Sequence, residues 1–342
     1  MRKVGNFDGK RILFISVSTF NYEREIALQL ERQGAIVDFY DERPSNSTFV
    51  KGIIRIKRDF YQIQINKYYN QILERIKFVK YDYLFVIKGE VVPVFFLEKF
   101  KSINPNCKSI FYTWDAFGNN KHAISILKYF DDCFTFDRQD AKKYSIKFRP
   151  LFYIDSYGAL LNEDSENKKY DLLFIGTAHS DRYLVVESIV KWCEMYDLKK
   201  FAYYFMQSRL AFVFKKFFDP SFRKIDYNKL SFNSLTKENI TDLYRCSSVI
   251  LDINHPNQSG LTMRTFEALG AGKKLITTNP DIVNYTFFNQ ENICIIDRNN
   301  PILIKDFFCT PFKSIDNNLR YAMSLEGWIN DLFFEDRTIF LH

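Results

Sequence analysis

The stretch SSVILDINHPNQSGLTMRTFEALGAGKKLITTNPDI (247–282) decides how the chain is to be read. VILDI is a buried strand, HPNQSGLT is a polar turn around Gly260, and MRTFEALGAG is a short helix closed by Gly270 and Gly272. KLITT is the next strand, and NPD is a turn after it. A strand–loop–helix–strand unit puts the loop and the helix N-terminus at the mouth of the sheet. Backbone N–H groups without intrahelical partners, together with the helix dipole, favour an anion such as a diphosphate there.

The same grammar extends outward. KKYDLLFIGTAHSDRYLVVESIVKWCEMY (168–196) is a lysine-flanked strand, a small-residue turn and a long helix. KRILFISVSTFNYEREIALQLERQG (10–34) has the same order, with Gly34 as the residue beyond the helix end. AIVDFYD (35–41), DYLFVIK (82–88), CKSIFYTW (107–114) and DCFTFD (132–137) are further strands, with helical patterns such as VPVFFLEKFKSIN between them. Alternation of this kind predicts an α/β chain with parallel sheets covered on both faces. FRPLFYIDSYGALLNEDSENKKY (148–170) shifts from apolar to Asn/Asp/Glu/Ser/Lys-rich, as a linker does. The expectation is two doubly wound, Rossmann-like domains facing a cleft, 1–160 and 161–342, with the last helix free to pack back on the first. Ligands in such sheets bind beyond the carboxyl ends of the strands.

Composition narrows the function. At 342 residues, 46% hydrophobic and 26% charged, the chain fits two ordinary globular domains and not a disordered one. A net charge of +7 is weaker than a dedicated nucleic-acid binder carries, so no nucleic-acid partner is expected. The six cysteines stand singly, several in apolar runs, and read as buried free thiols with no zinc site. The apolar run near the N-terminus is too short for a signal peptide, and no stretch approaches the roughly 20 apolar residues of a bilayer span. A cytoplasmic protein is expected. Basic and aromatic residues interleave in RIKRDFY (55–61) and FVFKKFFDPSFRK (212–224). These are either solvated helix faces or peripheral contacts with an anionic partner or with headgroups at the inner face of the membrane.

The 247–282 stretch resembles the C-terminal half of the group 1 family of GT-B glycosyltransferases, and more closely its CgeB-like branch of lipopolysaccharide or capsular polysaccharide biosynthesis. Gly260, Glu267, Ala268, Gly270 and Gly272 carry the motif. The resemblance covers the second half by motif and the first by architecture. It implies a nucleotide-sugar donor in the second domain, with Glu267 on the ribose hydroxyls. Ser259 stands where the family's earlier acid would fall, so stereochemistry is not carried over. Arg264, one turn before Glu267, matches a basic residue of the branch that reaches diphosphate oxygens. Leu261 and Thr262 complete the loop at the helix start. Within an ordinary strand–helix–strand unit, Glu267 would instead be a surface carboxylate.

Other positions gather on the same predicted edge. Gly176 and Thr177 lie where the second domain's first strand meets its helix, with Arg182 close behind; a structural turn is the alternative. Asn254 and His255 follow VILDI, and Asn279 and Asp281 follow KLITT. In the first domain an acceptor, saccharide or lipid-linked, would meet Ser18, Thr19 and Asn21 after the first strand, Lys88 after DYLFVIK, and Trp114 as a stacking surface. Asp115 is the first candidate for the general base and Glu90 the second, with helix N-capping the alternative for each. No DxD element stands at a strand end, so no metal and no cofactor are expected, and a leaving diphosphate would rely on helix dipoles and basic residues. The rival expectations are a sugar-nucleotide epimerase or hydrolase of the same fold and a non-catalytic nucleotide- or glycan-binding subunit.

Overall fold

Buried strands alternate with amphipathic helices to build two sheets in which every pairing is parallel. The structure is a computed structural model that describes residues 6–18, 21–45, 61–163, 168–178, 181–256, 258–334 and 340–341. It divides into unit 1, Met1–Pro150 with Leu325–Arg337, and unit 2, Leu151–Ser324 with Thr338–His342.

Unit 1 runs β1 (Arg11–Ser16), α1 (Tyr22–Arg32), β2 (Ile36–Asp41), α2 (Gln62–Ile76), β3 (Tyr83–Ile87), α3 (Val94–Ile103), β4 (Lys108–Thr113), α4 (Lys121–Ile126), β5 (Asp132–Thr135), α5 (Arg138–Tyr144) and β6 (Lys147–Phe148). The strand order is β2-β1-β3-β4-β5-β6. The central strands β1, β3 and β4 are almost wholly buried, as sheets covered on both faces require. α1 ends at Gly34, whose φ of +93° closes the helix for the turn into β2. The order reverses between β1 and β3, so the loops after these strands diverge and leave a crevice.

Unit 2 runs α6 (Asp155–Gly158), β7 (Tyr170–Thr177), α7 (Arg182–Met195), β8 (Lys200–Phe205), α8 (Arg209–Phe218), β9 (Leu230–Ser231), α9 (Lys237–Arg245), β10 (Ser247–Asp252), α10 (Met263–Gly270), β11 (Lys274–Thr277), β12 (Ile293–Ile295), α11 (Asp306–Cys309) and α12 (Asn317–Met323). Its order, β12-β11-β10-β7-β8-β9, reverses between β7 and β10. This is the doubly wound arrangement with its switch point at those two strands.

The chain passes between units at Pro150–Leu151, upstream of the 160/161 position read from composition. Packing on α10 explains why residues 151–160 belong to unit 2. A Cβ on Gly270 would sit 2.4 Å from the Tyr153 ring, and one on Gly272 would sit 2.4 Å from Leu161. Both glycines therefore admit side chains of this segment, and Gly272, with a φ of +65°, also turns the chain.

The last helix, α13 (Leu325–Phe333), returns to unit 1. Trp328 lies 4.8 Å from the Tyr112 ring, Phe333 lies 5.2 Å from Phe85, and Arg149 pairs with Asp331 at 2.8 Å in the interior. All six cysteines are free thiols; Cys107 and Cys193 are buried, but Cys309 is exposed, contrary to the uniform burial expected. Among the described residues no helix is long and apolar enough to cross a membrane.

Candidate functional site

Asp252, the last residue of β10, organises the edge of unit 2. Its carboxylate is buried, and an ion there survives only with partners. Thr262 donates to Oδ2 at 2.7 Å, Thr265 to the same atom at 3.4 Å, and Arg264 Nη1 to Oδ1 at 3.3 Å. The Thr262 hydroxyl is thereby committed to Asp252 and does not cap α10. The second Arg264 amino group donates to the Ile175 carbonyl of β7, so this guanidinium spans the switch point between β7 and β10. Burial opposes the charge, but Asp252, Tyr244 and Glu267 hold Arg264 above the ordinary range.

Two further arginines join it. Arg182 opens α7, and burial together with the like charge of Arg264 pushes its guanidinium down to about 10. Its Nε is buried without a hydrogen-bond partner among the described residues. Arg298 follows β12 and pairs with Asp181 at 2.6 Å. Its other amino group donates to the Asn254 carbonyl and, at 3.1 Å, to the Asn254 side chain. Arg182 thus feels Arg264, Arg298, Asp252 and Asp181 together, three cations against two acids. Glu267 acts on the same cluster through Arg264, so the three guanidinium groups gather here beside three carboxylates.

The loop before α10 is tied down by amides. Asn254, buried, accepts from Thr278 at 2.7 Å and donates to the Gln258 carbonyl at 2.9 Å. Asn279 donates to the Ser259 carbonyl at 2.9 Å and to that of Gly260 at 3.4 Å, while its Oδ1 accepts the Asp281 N–H. Leu261 is buried and His255 exposed. Gly176 and Thr177 are the last residues of β7; a Cβ on Gly176 would meet the Phe174 ring at 2.7 Å.

Glu267 is not a surface carboxylate. It is buried on α10, where its Oε2 accepts the Tyr244 hydroxyl at 3.3 Å. Tyr157 hydrogen-bonds the same carboxylate and stands edge-on to Tyr244, with centroids 4.9 Å apart. Burial and then the Glu267 charge raise both phenols well above their ordinary value.

In unit 1 charged groups collect beyond β1, β2, β3 and β4. Lys88 has a φ of +83° and is followed by Gly89 at +64°. A Cβ on Gly89 would strike Phe111 at 2.6 Å, so this turn requires glycine. The turn carries Lys88 Nζ to 3.0 Å from Asp115 and 3.8 Å from Glu90. Glu90 also receives Arg43, through Nε at 2.7 Å and through an amino group. Ser18 donates its amide and hydroxyl to Asp41. N-capping is not the role of either candidate base: Asn120 caps α4 and Pro93 precedes α3. Asn21, in the left-handed region, starts α1 without a side-chain cap, and Trp114 is half-buried. Thr19 lies outside the described residues, as does RIKRDFY apart from Tyr61.

Sequence reasoning misses Asp252, Arg298, Tyr157 and Tyr244 in unit 2, and Asp41, Glu42 and Arg43 in unit 1. The signal for the last three is their position in DER, at the carboxyl end of β2.

Two doubly wound parallel units of this kind are the Rossmann-like domains of the GT-B fold. An α,α-trehalose-phosphate synthase (UDP-forming) from Burkholderia xenovorans, in complex with glucose-6-phosphate, is similar with a TM-score of 0.61 at 10% identity, over 94% of this chain and 98% of that one. A glycosyltransferase from Rickettsia africae matches with a TM-score of 0.52 at 16% identity, over 96% and 95%. An alpha-glucosyltransferase in complex with UDP and a mismatched DNA matches with a TM-score of 0.52 at 12% identity, over 83% and 81%. At these identities the likeness is one of fold. No protein family and no curated protein matches the chain by sequence.

Proposed function

We propose that the protein is a glycosyltransferase that moves a sugar, a hexose or a close relative, from a nucleoside-diphosphate donor to a saccharide or lipid-linked acceptor. The observation that carries this is the gathering of three guanidinium groups, Arg182, Arg264 and Arg298, at the β7/β10 switch point, with the buried Arg182 Nε unpartnered among the described residues. Bidentate guanidinium–phosphate pairing is the chemistry such a cluster offers. Arg182, Arg264 and Arg298 take the diphosphate and neutralise the charge that grows on it as the glycosidic bond breaks, so the reaction proceeds without a metal. Gly176, Thr177 and the 254–262 loop form the wall around the phosphates, and Glu267 accepts the ribose hydroxyls in place of its two phenols.

Acceptor chemistry falls to unit 1. Asp115, 40% exposed and 3.0 Å from Lys88, takes the proton of the attacking hydroxyl. Glu90, gripped by Arg43 and Lys88, holds the site in place. The resemblance to the CgeB-like branch supports surface-polysaccharide or lipopolysaccharide synthesis as the setting.

The test is a thermal-shift screen against UDP-, GDP-, dTDP- and CMP-sugars, because a ligand that binds only the folded state raises its melting temperature. A productive donor is then incubated with and without acceptor saccharides. Transfer that requires the acceptor supports the proposal; donor turnover that ignores it identifies an epimerase or hydrolase.

A further inference from the structure

Helix α8, RLAFVFKKFF, wears its apolar stripe on the outside. Leu210, Val213, Phe214, Phe217 and Phe218 follow the i, i+3, i+4, i+7, i+8 spacing that in a globular helix faces the core. Here all five are exposed, Leu210 at 84%, Phe217 at 73% and Phe218 at 74%. Phe212, with Ala211 packed beside it, anchors the helix in the core of unit 2. Phe214 and Phe218 lie 4.5 Å apart between ring centroids, so part of the stripe forms a joined apolar surface. Contiguous exposed surface of this kind marks an interaction site, whereas single exposed apolar residues do not.

The chemistry of the rim chooses the partner. Within 209–224, Arg209, Lys215, Lys216, Arg223 and Lys224 face a single carboxylate, Asp219. Asp219 is spent on the Ser221 amide and hydroxyl. None of the five cations is ion-paired among the described residues. Lys215 and Lys216 instead lie over the Phe222 and Phe212 rings, at 4.9 and 5.7 Å. A helix that shows phenylalanine and leucine along one side, with lysine and arginine around them, matches the boundary between acyl chains and anionic headgroups. We propose that α8 seats unit 2 on an anionic lipid bilayer, Phe214, Phe217 and Phe218 entering the acyl boundary while the cations meet the headgroups.

The inference stands apart from the proposed activity, because vesicle binding needs neither donor nor acceptor. The full chain is co-sedimented with vesicles of phosphatidylcholine alone and of phosphatidylcholine rich in phosphatidylglycerol. Binding to the anionic vesicles is expected, weakened by high salt. F214S combined with F217S should lower the affinity about tenfold or more, since each apolar side chain withdrawn from the acyl boundary removes a favourable transfer term. K216E combined with K224E, a change confined to the exposed rim, should lower it by a similar factor. Circular dichroism and melting temperature confirm that both variants remain folded. Failure of the full chain to bind anionic vesicles overturns the proposal. So does concentration-dependent dimerisation abolished by the same phenylalanine substitutions, which would give the stripe to a second copy of the chain.

Discussion

The Tyr244 hydroxyl donates to Glu267 Oε2 across 3.3 Å in the interior of unit 2, and Tyr157 closes on the same carboxylate. A buried carboxylate that accepts a phenol hydroxyl is already shaped to accept hydroxyl hydrogens, and a ribose presents two of them. Hydrogen bonds to a charged group contribute about 1.5–3 kcal/mol each. Glu267→Ala should therefore raise the Kd for UDP or GDP about tenfold or more in a calorimetric titration. Tyr244→Phe removes a competitor for the carboxylate and should change affinity far less. Equal affinity in wild type and Glu267→Ala would remove Glu267 from the donor site.

Arg182 gives stability and binding opposite signs. Burial and the neighbouring Arg264 already disfavour its charge, and its Nε has no partner among the described residues. Arg182→Met keeps most of the volume and removes the repulsion, so the melting temperature should hold or rise. The same change deletes a phosphate donor, and nucleoside-diphosphate affinity should fall about tenfold. A fall in both quantities would make Arg182 a structural residue.

What the sequence makes legible is the backbone. Short, largely apolar runs such as VILDI and YLFVI, bounded by polar or turn residues, read as strands covered on both faces, and the glycines after α1 and α10 mark where those helices stop. α2 is harder to read. Ile65, Tyr69, Ile72, Leu73 and Ile76 have helical spacing, but Gln and Asn intervene and no side chain caps its start. The candidate site is legible as an edge and not as a set of partners. Gly260 stands out because it lies in a turn before a helix start, and Arg264 and Glu267 stand out through the family resemblance. Asp252 passes as one more residue of a strand, and Arg298 reaches the cluster across 44 positions of sequence. Tyr157 and Tyr244 come from segments with no mark of chemistry, because aromatic residues are abundant throughout this chain.

Lys88 stands between two carboxylates that should behave differently. Asp115 is 40% exposed, so Asp115→Asn should cost at most about 1 kcal/mol of stability. As the proposed base it should lower kcat about 100-fold or more while donor affinity is kept. Glu90→Gln strands Arg43, whose side chain is only 4% exposed, and leaving a buried charge without its partner costs about 3–5 kcal/mol. Parallel measurement of kcat and urea unfolding separates the two roles. Full turnover in Asp115→Asn would assign proton transfer elsewhere.

Glu42 should write a pH dependence into unit 1. Its side chain is fully buried, Oε1 accepts the Val91 amide at 2.5 Å, and Oε2 has no partner among the described residues. Burial, with a smaller push from Glu90, raises its carboxyl from 4.5 to about 7, although the Val91 bond, Lys88 and Arg43 pull the other way. The folded protein then holds this proton more tightly than the unfolded chain. The contribution of Glu42 to stability is therefore fully present below 4.5 and is lost as pH rises to about 7. The amount at stake is on the order of 3 kcal/mol. Glu42→Gln keeps a carbonyl oxygen for Val91 and removes the titration. Urea unfolding at several pH values should show the variant close to wild type in acid, gaining on it through the interval, and more stable by a constant margin above it. A difference that does not change with pH would mean that the folded and unfolded chains hold the Glu42 proton equally, the Val91 bond, Lys88 and Arg43 offsetting its burial.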